Sequence, residues 1–276
     1  MTDLLGNERL VLQRVGAVLF DKDGTIIDAH HYWSLMIRYR AEAVAEFVGS
    51  DGSRDENGRS MVDLLMSAMG VDGTGRRLRP EGPVGVKKRS EIASIVGEAV
   101  RGAGGRMADS EVENRFAEVD RRTAANMDPL LRLLPGVRGV LTSLGEAQVR
   151  VGLVTTDLTD RAEHAMRVLG INRLIDVTLG ADAVAATKPA PDLALHALDR
   201  VGIAPMSAAV VGDHPVDIQM ATAAGCGAAI GVLTGLADRS VFESENCEIL
   251  RDLTHLRVAG GDSAVVAERS EGRWLK

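Results

Sequence analysis

Four short apolar runs, each stopping abruptly at a polar cluster, constrain what this chain can fold into more than any other feature. Val15 to Phe20 (VGAVLF) ends in Asp21-Lys22-Asp23-Gly24-Thr25, and Val149 to Thr155 (VRVGLVT) ends in Thr155-Thr156-Asp157. Ala208 to Val211 (AAVV) ends in Gly212-Asp213, and Gly227 to Val232 (GAAIGV) stops just before Thr234-Gly235. Short continuous apolar runs of this kind are the mark of parallel strands buried on both faces. Between them lie helical patterns. Asp160 to Leu169 sets Ala162, Ala165, Met166 and Leu169 on one face, and Pro191 to Val201 opens on a proline suited to a first helical turn. Strand, polar loop and helix in alternation predict an α/β fold, a parallel sheet with helices on both faces. Ligands of such sheets bind beyond the carboxyl ends of the strands, where all four polar clusters fall.

Residues 29–133 break the alternation. Helix-like patches at Tyr32 to Val48, Met61 to Met69 and Glu111 to Thr123 are separated by a polar break at Gly49 to Gly58 and a Gly/Pro-rich one at Gly70 to Gly85. No buried strand is legible there. Asp128-Pro129 and Pro135-Gly136 mark the return of the α/β pattern. The expected organisation is a core made of residues 1–28 and 134–257, with an all-helical insertion, residues 29–133, in the first crossover. Residues 258–276, rich in Gly, Ser and charge, read as a flexible tail.

Hydrophobic residues make up 45% of the 276 and aromatics only 3%, so the core has to be packed with aliphatic side chains. A formal net charge of -7 argues against a nucleic-acid partner, since polyanion affinity grows with accumulated Lys and Arg. It leaves room for a small anionic substrate held by one or two local cations. Cys226 and Cys247 are the only cysteines, which fits neither a disulfide framework nor a CxxC metal site and points to a reducing cytoplasm. Met1 to Arg14 has no basic-then-apolar signal pattern, and no window approaches an uninterrupted membrane-spanning apolar run, so no membrane association is expected.

The polar clusters make chemical sense together. Two carboxylates at i and i+2 after a strand, Asp21 and Asp23, can face one pocket in different roles. A carboxylate that attacks phosphorus needs its charge neutralised, because nucleophile and phosphate are both anions, and Mg2+ does that through few carboxylates and the phosphate oxygens. Asp21 and Asp213 would supply the metal's carboxylates, while Asp217, one helical turn on, would hold a metal-bound water or orient Lys188. Thr155 and Lys188 would take the phosphoryl oxygens, with Thr156 as the competitor for the threonine's place. Gly24 lets the backbone turn sharply beside the ligand. Asp23 would protonate the leaving alkoxide and then deprotonate the attacking water.

Asp21-Lys22-Asp23-Gly24-Thr25, Thr155, Lys188-Pro189 and Gly212-Asp213-x-x-x-Asp217 resemble, in order, the four motifs of the haloacid dehalogenase superfamily. The resemblance covers residues 15–28 and 134–257. A helical insertion just after the first motif resembles the helical-cap subfamily, which includes phosphoglycolate phosphatases and β-phosphoglucomutase. It implies a Rossmann-like core, Mg2+, an aspartyl-phosphate intermediate, a small phosphorylated metabolite as substrate, and the main-chain carbonyl of Asp23 as a metal ligand. Family dehalogenases lack the second aspartate, so Asp23 favours phosphate esters. The subfamily's mutases carry a histidine twelve residues after the nucleophile, where this chain has Trp33. Mutase activity is the alternative, followed by a non-catalytic binding role, which would be expected to lose at least one of these groups. Lys22 stands where the family is usually apolar.

Several residues keep two readings. Asp217 can cap its helix or serve the site. His214 can be simply solvated. His30, His31, Tyr32 and Trp33 can contact substrate or pack the insertion's first helix. Lys87, Lys88 and Arg89 can favour an acidic leaving group, since a cap loop selects substrate in helical-cap relatives, or form a solvated face.

Overall fold

The structure, a computed structural model, describes residues 10–49, 59–84, 87–236, 238–259 and 266–269, with the backbone alone at 124, 125, 259 and 266–269. The described residues open with β1 (Leu10–Gln13) and β2 (Ala17–Phe20). Four helices follow: α1 (Ala29–Phe47), α2 (Met61–Ala68), α3 (Arg89–Gly102) and α4 (Asp109–Ala125). The alternation then begins with α5 (Val137–Glu146), β3 (Arg150–Val154), α6 (Thr159–Val168) and β4 (Val177–Leu179). It continues through α7 (Asp192–Val201), β5 (Ala208–Gly212), α8 (Pro215–Ala224), β6 (Ala228–Val232) and β7 (Glu248–Leu250). Two strands close the described chain, β8 (Leu256–Ala259) and β9 (Val266–Arg269).

The α/β class with a Rossmann-like core and a helical insertion is what forms. The chain divides into two compact units, Met1–Asp28 with Arg132–Lys276, and Ala29–Leu131. In the first, six parallel strands run in the order β4-β3-β2-β5-β6-β7. β2 is central, with Phe20 opposite Leu153 of β3 on one side and Val211 of β5 on the other. All four of its residues are buried. Ala17 and Leu19 join the cluster formed with α7 and α8, so Val18 and Phe20 face the opposite side of the pleat. Successive connections leave β2 toward β3 and return on its other side at β5. This reversal of strand order opens the crevice in which such sheets bind ligands.

The core is aliphatic as the composition requires, with Phe20 and Phe242 its largest fully buried aromatic side chains. The helical unit has its own apolar cluster, in which Met36, Val119, Met127 and Leu130 are buried and Tyr32 and Trp33 pack against them.

The tail expectation needs correction where it is described. β8 pairs parallel with β1 and β9 antiparallel with it, forming a separate three-stranded sheet. The alternately buried β1 offers both its edges, which strands from the tail region satisfy. The other residues of 258–276, and the expected loop at 50–58, lie outside the described residues. Among the described residues no helix is long and apolar enough to cross a membrane.

Candidate active site

Asp21 follows the central strand directly. Its N–H donates to Val211 O at 2.9 Å, which carries the β2–β5 ladder one step past the strand. The chain then coils on itself, with Ile26 and Ile27 N–H donating to Lys22 O at 3.0 and 2.9 Å and Gly24 N–H to Ile27 O at 2.8 Å. Gly24 has φ 88, and a Cβ on it would run into the Asp213 carboxylate and come within 2.9 Å of Gly235 Cα. A Cβ on Gly235 would strike the same carboxylate. Thr234 Oγ1 donates to Gly24 O at 2.6 Å. The loop after β6 is thus part of the site. The abrupt end of the fourth apolar run at Thr234-Gly235 is its signal in the sequence.

One carboxylate oxygen from each of Asp21, Asp213 and Asp217 lies within 4.8 Å of the other two. Lys188 Nζ donates to Asp21 Oδ1 at 2.5 Å and to Asp217 Oδ1 at 2.7 Å. Its side chain is 2% exposed. Burial pulls the ammonium's pKa down, but the two carboxylates outweigh it and raise the pKa above the ordinary lysine value. Asp217 is engaged at both of its carboxylate oxygens. Its Oδ2 accepts from His214 N–H at 3.1 Å in a capping box at the start of α8, while Oδ1 holds Lys188. Its carboxyl is pushed up to about 6, by burial first and then by Asp21, against the pull of Lys188. Asp213 is raised well above the usual range by burial and by the charges of Asp21 and Asp217. Among the described residues no side chain donates a hydrogen bond to it. Three carboxylates, two of them bonded to one ammonium, crowd a backbone cradle with no room for a Cβ, an oxygen donor set that suits a hard divalent cation.

Asp23 stands on the outer side of this group. Its side chain is 44% exposed, which tempers the desolvation that lifts its carboxyl; Lys22 opposes the lift, while Asp21 and Asp157 add to it. Lys22 is buried, with Nζ 2.8 Å from Asp157 Oδ2 and 3.1 Å from Asp23 Oδ2. Thr155 is buried at the end of β3, and its N–H donates to Leu179 O at 3.0 Å. Its Oγ1 accepts from Asp157 N–H at 3.1 Å, which leaves the hydroxyl hydrogen to donate elsewhere. Thr156 is exposed.

The core unit therefore carries Asp21, Asp23, Gly24, Thr155, Thr156, Lys188, Asp213 and Asp217 on its strand ends and the loops that follow them. His214 is the N-cap residue of α8 in the core unit, and the remaining candidates belong to the helical unit and are engaged within it. His30 is buried, accepts at Nδ1 from Leu78 N–H at 3.1 Å, and has Nε2 3.0 Å from Arg77 Nη2. His31 Nε2 lies 3.3 Å from Pro129 O. Tyr32 and Trp33 meet edge to face at 5.4 Å. Arg89 pairs with Asp120 at 2.5 Å, Lys87 Nζ lies 3.6 Å from Glu91, and Lys88 is the N-cap residue of α3.

A family model, that of the haloacid dehalogenase-like hydrolases, matches residues 15–225. The chain is similar to validoxylamine A 7'-phosphate phosphatase of Streptomyces hygroscopicus subsp. limoneus, at 27% identity over 87% of this chain and 94% of that protein. It is 39% identical to phosphoglycolate phosphatase of Escherichia coli strain K12 over a shorter stretch, 34% of this chain and only 37% of that protein's length. Among solved structures, a candidate β-phosphoglucomutase from Thermotoga maritima superposes with a TM-score of 0.61 at 23% identity, covering 87% of this chain and 96% of the other, a likeness of fold.

Proposed function

We propose, for a chain that belongs to the haloacid dehalogenase-like hydrolase family, an Mg2+-dependent phosphatase reaction on a small phosphorylated metabolite, passing through an aspartyl-phosphate on Asp21. The observation that carries the proposal is the packing of Asp21, Asp213 and Asp217 around Lys188, with Asp23 and Thr155 on the neighbouring loops. Asp21, Asp213 and Asp217, with the main-chain carbonyl of Asp23, are the residues that would hold Mg2+. Bound there, it would offset the repulsion between a carboxylate nucleophile and an anionic phosphate.

The chain's own groups divide the remaining work. Lys188 fixes Asp21 through Oδ1, leaving Oδ2 to attack phosphorus. The Thr155 hydroxyl and Lys188 stabilise the phosphoryl oxygens, with the Gly24 loop close by. As the ester P–O bond breaks, Asp23 gives its proton to the leaving oxygen. It then takes a proton from the water that attacks the aspartyl-phosphate, and phosphate leaves with Asp21 restored.

What the two relatives are named for, validoxylamine A 7'-phosphate and phosphoglycolate, supports a small phosphate ester as substrate. Trp33 in place of the mutases' histidine, and the engagement of His30 and His31 within the helical unit, support hydrolysis over transfer to a second sugar hydroxyl.

The test is phosphate release from a panel of phosphorylated metabolites and p-nitrophenyl phosphate, with Mg2+ and with EDTA. Release should require Mg2+. Asp21→Asn should lower it by at least about 10^4-fold, and Asp23→Asn by about 10^2- to 10^4-fold with phosphate binding retained. Metal-independent release, or wild-type rates in either variant, would sink the mechanism.

A further inference from the structure

Lys22 is the buried charge at the site that the reaction above does not use. Lysine is seldom buried without a partner that needs it. Here the partners are two, Asp157 Oδ2 at 2.8 Å and Asp23 Oδ2 at 3.1 Å. Asp157 is a fixed anchor. Its Oδ1 accepts from Leu158 N–H at 2.8 Å and lies 3.4 Å from Arg161 Nη1, and its own N–H is spent on Thr155 Oγ1. Asp23, by contrast, is nearly half exposed, and Lys22 is the one side chain among the described residues found to hold its carboxylate. A general acid has to sit within hydrogen-bond reach of the oxygen it protonates, and a carboxylate free to change rotamer does so only part of the time. An ammonium, with three donors on one nitrogen, can bridge two carboxylates on different loops, which an apolar side chain at this position cannot do.

We propose that Lys22 is a positioning residue for the acid/base aspartate: anchored on Asp157, it holds Asp23 by Oδ2 and so presents Oδ1 to the leaving group. The proposal rests on the phosphatase reading above. It ties the loop after β2 to the loop after β3, so that Asp23 and the Thr155 hydroxyl are set by one shared support.

Leaving-group dependence separates this role from a merely structural one. p-Nitrophenolate departs without needing a proton, whereas an alkoxide needs one. The constant to read is kcat/KM, which covers the steps through leaving-group departure and not the later hydrolysis of the aspartyl-phosphate. The variants are Lys22→Met, Lys22→Arg and Asp157→Asn, each checked for a cooperative thermal transition. They are compared on p-nitrophenyl phosphate and on the alkyl phosphate that ranks first in the panel. Lys22→Met and Asp157→Asn should lose about 10- to 100-fold more on the alkyl ester than on the aryl one, and Lys22→Arg should recover most of the difference. Equal losses on both esters, or no loss on either, would overturn the proposal while leaving the phosphatase reading intact. A wild-type enzyme silent on both esters, or an Asp21→Asn variant that still turns over, would overturn that reading and the proposal with it.

Discussion

At the scale of single residues, the site gathers negative charge faster than it offsets it, and this has a thermodynamic signature. Asp217, pushed up to about 6, and Asp213, raised in the same sense, bind protons more tightly folded than unfolded. The folded state therefore holds more protons above the unfolded carboxyl value of about 4, and stability falls as pH rises through that window. The carboxyls held low elsewhere, such as Asp157 and Asp252, lose their contribution only at more acid pH. Metal-free protein should thus melt several degrees higher at pH 5.5 than at pH 7.5, and Mg2+ should raise the melting temperature more at pH 7.5. Asp213→Asn should raise the metal-free melting temperature at pH 7.5 and abolish the Mg2+ shift. Thermal unfolding at the two pH values, with and without Mg2+, checks both, and a metal-free protein that melts lower at pH 5.5 would refute the charge argument. The acidic residues were legible because the proposed chemistry demands those residue types right after apolar runs. Lys22–Asp157 and Thr234–Gly24 were not, because a buried lysine and a surface lysine look alike in sequence, and so do a buttressing threonine and any loop threonine.

At the scale of elements, legibility followed length and burial. β2, β3, β5 and β6 announce themselves because strands buried on both faces are continuous apolar runs. β4 and β7, three residues each at the sheet's edges, are too short to show a pattern. α3 begins inside Lys87-Lys88-Arg89, where charge hid a helix start capped by Glu91 bonding back to Lys88 N–H at 3.1 Å. What reads as a basic patch is partly internal wiring of the helical unit. Asp120 receives Arg40 at 2.8 Å and Arg89 at 2.5 Å, and the guanidinium carbons of both arginines lie over the Phe116 ring at 5.0 and 5.9 Å. Arg40 is buried, so removing its carboxylate leaves an uncompensated charge. Asp120→Ala should destabilise the helical unit by about 3 kcal/mol, measured by urea unfolding, whereas Arg89→Lys should cost far less. A silent Asp120→Ala would show that the stacking on Phe116 suffices alone.

At the scale of the whole molecule, the helical unit leaves and re-enters the core at a single point. Asp28 N–H donates to Arg132 O at 2.9 Å, Leu134 N–H donates to Ile26 O at 3.0 Å, and Ile27 bridges Leu133 antiparallel. Residues 29–131 replaced by a linker of about four Gly/Ser residues should leave a core that folds. Circular dichroism with a cooperative melt would bear this out, and an unfolded product would mean that the core depends on its insertion. The same strand order sets a schedule during synthesis. β2 leaves the ribosome first of the six parallel strands, yet its neighbours β3 and β5 come far later, β5 roughly 190 residues on, which at typical translation rates is about 10–40 s. Meanwhile Ala17–Phe20, an apolar strand with two open edges, has no native partner, while the helices of residues 29–131 can already pack on one another. A central strand of the finished sheet thus stays exposed in the nascent chain until β3 and β5 are made, where a chaperone has reason to hold it.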